Sequence, residues 1–90
     1  MNISFHDKVV MITGATGGVG ISLAKAFADA GAKLALVGRQ ENMKELFASV
    51  IPSSTEYLSL RADLSQEEEI SSVVNETITR FARIDVLING

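Results

Sequence analysis

Between Thr13 and Gly20 the chain reads T-G-A-T-G-G-V-G, with Gly14, Gly17, Gly18 and Gly20 lying between an apolar run and a stretch of alternating small and apolar residues. Glycine costs roughly 0.5–1 kcal/mol relative to alanine wherever the backbone must be fixed. A cluster of this kind is therefore kept where something must come close to the main chain. A glycine-rich turn that leaves a strand and enters a helix is an anion site, because the first N–H groups of the helix have no internal partner and the positive end of its dipole lies there. The chemistry expected of these residues is the grip of a phosphate. Gly14 suits the sharp turn out of the strand, Gly18 lets a pyrophosphate meet the backbone, and Gly20 lets the helix pack tightly on the sheet. A crossing that was only tight would need one or two glycines. A nucleoside-triphosphate loop needs Lys and then Ser or Thr directly after its last glycine, but Gly20 is followed by Ile21 and Ser22. An NTPase is disfavoured.

The flanking elements must hold this loop in place. Lys8 to Ile12 is apolar and β-branched without alternation, the pattern of a strand covered on both faces. Val19, Leu23, Ala26, Phe27 and Ala30 follow at helical spacing and stop at Gly31. The segment K-L-A-L-V-G, residues 33–38, reads as a second buried strand. Met43, Leu46, Phe47 and Val50 form the stripe of a second helix closed near Pro52. E-Y-L-S-L-R-A alternates, as a third strand nearer a sheet edge does. Ser65 with Glu68 predicts a capping box, and Ile70, Val73, Val74, Thr77, Ile78 and Phe81 predict a long amphipathic third helix. D-V-L-I, residues 85–88, reads as a fourth buried strand. The order βαβαβαβ predicts an α/β parallel sheet with right-handed crossovers, without linker or repeat.

Ninety residues with 47% hydrophobic and 21% charged content describe one small domain, or part of a larger one, with a thin core. A net charge of −3 gives no electrostatic footprint for nucleic acid or an anionic membrane. There is no cysteine, so disulfides, thiolate metal sites and a cysteine nucleophile are excluded, which fits a reducing compartment. No apolar run approaches the roughly 18 residues of a membrane span. The opening M-N-I-S-F-H-D-K-V-V lacks the form of a signal peptide. A cytoplasmic protein is expected. His6 has no second histidine to join it in a metal or catalytic role. Glu67 to Glu69 suit the positive end of a helix dipole better than a cation site.

The spacing T-G-x-x-x-G-x-G resembles the cofactor loop of the short-chain dehydrogenase/reductase family. Three further stretches strengthen the resemblance. R-A-D-L places Asp63 and Leu64 where that family has an aspartate and an apolar residue beside the adenine ring. D-V-L-I-N-G matches the start of D-x-L-[IV]-N-N-A-G, with Asn89 at the first asparagine and Gly90 departing from the second. G-A-K-L-A-L-V-G-R matches the second strand and the turn after it. The resemblance implies a Rossmann-type doubly wound sheet of strand order 3-2-1-4. It also implies an oxidoreductase passing hydride between NAD(P)(H) and a hydroxyl or carbonyl substrate. Its cofactor-binding residues would be Gly14, Thr16, Gly17, Gly18, Val19, Gly20, Arg39, Asp63, Leu64 and Asn89, with no metal. Taken alone, Asp63 could as well end a strand before a helix cap, and Asn89 could be a turn residue.

In a dinucleotide fold, an acidic residue at the end of the second strand accepts hydrogen bonds from the ribose and favours NAD(H). Gly38 stands there instead, and Arg39 after it can grip a 2′-phosphate through paired charge-assisted hydrogen bonds. NADP(H) is the expected cofactor, with NAD(H) the alternative. Arg39 could also be a solvated surface arginine, since Gly17 stands where many NADP-dependent relatives carry a second basic residue.

In the family the proton is handled by a tyrosine with a lysine four residues later, assisted by a serine and an asparagine, all beyond the fourth strand. Tyr57 and Arg61 have a similar spacing, but four residues along a strand separate side chains by about 13 Å. Arginine also keeps its proton. Tyr57 is expected to be a packing residue. Residues 1–90 are thus expected to be the N-terminal part of a single NAD(P)-binding domain, inactive alone, from a parent that forms homo-oligomers. With the apolar edge Val86 to Ile88 unpaired in the order 3-2-1-4, the isolated chain is expected not to be a stable monomer but to self-associate or to fold only with a complementing segment. A non-enzymatic nucleotide-binding sensor or interaction module is the alternative. A gene continuing past Gly90 into Y-x-x-x-K would decide between them.

Overall fold

A computed structural model of the protein describes residues 4–90. The reading of the N-terminus as unlike a signal peptide includes residues 1–3, which lie outside the described residues. Strand β1 (Val9–Thr13) leads through the glycine loop into helix α1 (Gly18–Asp29), followed by β2 (Lys33–Gly38), α2 (Met43–Val50), β3 (Tyr57–Arg61), α3 (Glu67–Phe81) and β4 (Val86–Asn89). All pairings are parallel and the sheet order is β3-β2-β1-β4, as expected from the sequence.

Strand residues point alternately to the two faces. Val10, Ile12, Leu34 and Leu36 therefore pack beneath Ala24 and Ala28 of α1 and Met43 and Phe47 of α2. Met11, Ala35, Val37 and Leu60 face the other way, against Val73 of α3. β1 and β2 are covered on both sides, which is why their sequences show no alternation.

Three expectations are corrected. The buried row of α1 is Gly20, Ala24 and Ala28, while Val19 is 72% exposed. Small residues face inward because the helix lies close to the strands, so the larger apolar residues mark only the flank of the buried face. The capping box does not form: Gln66 is the N-cap of α3 and makes no side-chain cap. Ser65 instead donates both its amide and its hydroxyl to Asp63 Oδ1, at 3.0 and 2.7 Å. Finally, β4 lies at the sheet edge, with Leu87 55% exposed, so its apolar composition does not mean burial on both faces.

On α3 the buried row is Val73, Thr77 and Phe81, while Ile70, Val74 and Ile78 of the predicted stripe are exposed. Thr77 is fully buried because its hydroxyl donates to the Val73 carbonyl at 2.7 Å, within its own helix. Among the described residues, no helix is long and apolar enough to cross a membrane.

Candidate functional site

The four strands run parallel, so their C-terminal ends share one edge of the sheet. Between β1 and β4 at that edge lies the reversal of winding, with α1 and α2 on one face and α3 on the other. Ligand crevices of open α/β sheets form at such a point. A cleft opens there, lined by Gly14 and Thr16 of the glycine loop, Gly38 and Arg39 after β2, Leu64 after β3, and Gly90 after β4.

Each loop glycine has its own geometry. Gly14 has φ +63°, and a Cβ on it would stand 2.9 Å from the Gly90 carbonyl oxygen. Both the left-handed turn and the close approach require glycine there. A Cβ on Gly20 would come within 2.5 Å of the Gly14 carbonyl oxygen and 2.8 Å of Ala15 Cα. Gly20 thus brings the helix onto the loop backbone, a closer partner than the sheet. A Cβ on Gly18 would meet nothing within 4 Å, and one on Gly17 would make ordinary contact. The space beside Gly18 is open to a ligand.

The start of α1 differs electrostatically from that of α3. Gly17 is its N-cap without a side-chain cap, and no acidic residue occupies its first turn. The first turn of α3 holds Glu67, Glu68 and Glu69. The leading amides of α1, on Gly18, Val19 and Gly20, are those a helix leaves without an internal partner. With the positive dipole end beside them, they suit an anion.

At the other end of the cleft, Arg39 Nη2 lies 3.6 Å from Asp63 Oδ2, and the Arg39 side chain is 77% exposed. The Ser65 hydroxyl, its amide and, more weakly, the Arg39 charge hold the Asp63 carboxyl below its ordinary value, so it is ionised at neutral pH. The Asp63 amide donates to Glu69 Oε1 at 2.7 Å. A Cβ on Gly38 would stand 2.7 Å from Met43 Sδ and 3.2 Å from Thr16 Cγ2. Packing therefore also favours a residue without a side chain here, and this leaves no carboxylate at position 38. Asn89 pairs in register with Thr13, whose hydroxyl lies 3.2 Å from Asn89 Oδ1.

The loop residues, Arg39, Asp63, Leu64 and Asn89 thus gather along one sheet edge, with the Val19 side chain turned to solvent. Tyr57 lies elsewhere, its ring edge-on to Phe47 at 6.4 Å. His6 is exposed beside Asp7. Arg61, considered in the sequence only as the partner of Tyr57, reaches the cleft's neighbourhood and donates Nε–H to the Arg39 carbonyl at 3.1 Å. Nothing in its spacing announces this contact, which depends on the register between β2 and β3.

A family model described as short chain dehydrogenase matches residues 8–90, and the chain belongs to that family. It is 43% identical over 90 residues to 1,6-dihydroxycyclohexa-2,4-diene-1-carboxylate dehydrogenase of Pseudomonas putida, covering 100% of this chain and 33% of that protein. Among solved structures, levodione reductase superposes with a TM-score of 0.87 at 36% identity, over 92% of this chain and 33% of that one. A 3-ketoacyl-(acyl-carrier-protein) reductase from Brucella melitensis, complexed with NADH, gives 0.83 at 36% identity, over 93% of this chain and 34% of that one. The chain spans about a third of the length of each of these relatives.

Proposed function

We propose that residues 1–90 form the dinucleotide-binding, N-terminal part of an oxidoreductase that moves hydride between NADP(H) and an alcohol or carbonyl substrate. The observation that carries this reading is the glycine loop, which leads into the uncapped start of α1 and lines, through Gly14 and Thr16, a cleft that also presents Arg39 and no carboxylate at position 38. Gly14, Thr16, Gly17, Gly18, Val19 and Gly20 would seat the pyrophosphate, Val19 through its amide alone. Asp63 and Leu64 would flank the adenine, and Asn89 would stand beside the cofactor where β4 ends. Arg39 would contact the 2′-phosphate. When bound, the cofactor supplies or accepts the hydride. The residues that move the proton and shape the substrate pocket are placed beyond Gly90, in keeping with relatives about three times as long. A homo-oligomeric parent is part of this reading.

The Brucella melitensis reductase is complexed with NADH, which lacks the 2′-phosphate, so the choice of NADP(H) here rests on Arg39. Calorimetric titration of the protein and of Arg39→Ala with NADPH and NADH tests it. The variant is expected to lose roughly 1.5–3 kcal/mol toward NADPH, as for a charged hydrogen-bonded contact, and little toward NADH. Equal losses toward both would make Arg39 a structural residue.

A further inference from the structure

Beyond Arg39 the cleft adjoins a second, polar recess, lined by Arg39, Arg61, Ala62, Asp63 and Glu69. Arg61 is the last residue of β3 and stands opposite Gly38 in register. Leu60 packs toward α3, so alternation sends the Arg61 side chain to the α2 face, beside the loop that follows β2. There its Nε–H binds the Arg39 carbonyl at 3.1 Å, and Nη2 lies 3.6 Å from Glu41 Oε1. The guanidinium is thereby fixed to the backbone of the residue argued to meet the 2′-phosphate.

Donors and acceptors in this recess are unequally used. Asp63 Oδ1 accepts from the Ser65 amide and hydroxyl, and Glu69 Oε1 accepts from the Asp63 amide. Both carboxylates are engaged by internal donors. Each guanidinium carries five N–H donors in a fixed fork. Among the described residues, Arg61 makes one hydrogen bond, and Arg39 meets Asp63 at 3.6 Å, beyond hydrogen-bond range. Two cations on adjacent strand ends thus present spare donors to one recess, which suits a dianion held by paired forks.

We infer that Arg61 is a second specificity-determining residue of the cofactor site, sharing the 2′-phosphate with Arg39. This rests on the NADP(H) reading above. The probes are 2′,5′-ADP and 5′-AMP, which differ only in the 2′-phosphate, titrated calorimetrically into the intact protein and its variants. Arg61→Ala is expected to weaken 2′,5′-ADP by about 3–10-fold, the contribution of one exposed charge-assisted contact, and to leave 5′-AMP within about twofold. Arg61→Lys should recover part of the loss. Arg61→Gln, which keeps a neutral donor for the Arg39 carbonyl, should not, and it serves as the second variant if Arg61→Ala folds poorly. Equal weakening of both probes in Arg61→Ala and Arg61→Gln would reduce Arg61 to a loop support and overturn the inference, as would no change in either. An unmodified protein that binds the two probes equally would sink the NADP(H) reading itself. A preference abolished by Arg39→Ala and untouched by Arg61→Ala would sink this inference alone.

Discussion

Two loop glycines two residues apart differ in what an added Cβ would meet, and this lets binding be tested apart from folding. At Gly20 an added Cβ would run into the backbone of Gly14 and Ala15, so substitution there disturbs the loop itself. At Gly18 the same atom meets open space. Gly18→Val is therefore expected to leave circular dichroism and the melting profile close to those of the parent while abolishing detectable NADPH binding, because the branched side chain fills the pyrophosphate's path. Unchanged affinity would remove the phosphate-site reading. At this scale the sequence was informative about residue type and less so about direction. Gly14, Gly18 and Gly20 could be given distinct roles because glycine answers to sterics close at hand. The solvent-facing side chain of Val19, the tie between Arg61 and the Arg39 carbonyl, and the packing demand at Gly38 depend on which neighbours the fold supplies.

At the scale of elements, α3 shows what periodicity leaves open. Its apolar residues were legible, but only the row Val73, Thr77, Phe81 is buried, because a single helix on that face covers a narrower strip than the sequence stripe allows. Its ends were less legible still. The expected Ser65–Glu68 box is replaced by a turn in which Asp63 accepts from the Ser65 amide and hydroxyl, and the helix takes Gln66, one residue later, as its N-cap. At the C-terminus Ala82 adopts φ +69° while its amide donates to the Ile78 carbonyl at 2.8 Å. That conformation costs a residue with a Cβ roughly 1–2 kcal/mol. Glycine gives back about 0.4–1 kcal/mol through its freer unfolded state. Ala82→Gly should therefore stabilise the protein by about 0.5–1 kcal/mol in urea unfolding. A destabilised variant would show that the turn is not strained at this residue.

For the whole molecule, the junction of β4 with β1 depends on Asp85. Its carboxylate accepts from the Val9 amide at 2.9 Å and from Arg83 Nη2 at 2.6 Å, while its own amide donates to the Val9 carbonyl at 2.9 Å. Arg83 first, then the Val9 amide, hold the Asp85 carboxyl below its ordinary value of 3.8. A carboxyl depressed in the folded state contributes stability that is fully present above its unfolded value and lost as pH falls through the folded one. The stability difference between the parent and Asp85→Asn should thus be greatest near neutral pH and fade as the pH falls from the ordinary carboxyl value through the lower folded one, as followed by urea unfolding across the acid range. A difference independent of pH would mean that packing, and not charge, holds the junction. A parallel sheet was legible from the alternation of elements, and the order β3-β2-β1-β4 from the resemblance, which already leaves β4 without an outer neighbour; the apolar composition of residues 85–88 pointed the other way, to burial on both faces. The same junction has a consequence in time. Thr13 meets Asn89 across 76 positions of chain, and the Gly90 amide donates to the Thr13 carbonyl at 3.0 Å. During synthesis, β1, β2 and β3 emerge early and can pair while this longest loop is still open, its closure bearing the largest entropic cost. The glycine turn then lacks the backbone that abuts Gly14. On the proposed reading of the loop as a nucleotide seat, a nascent chain would pass through a stage with most of its sheet and an unfinished seat, and ligand would protect it by mass action only once Gly90 has joined the glycine turn.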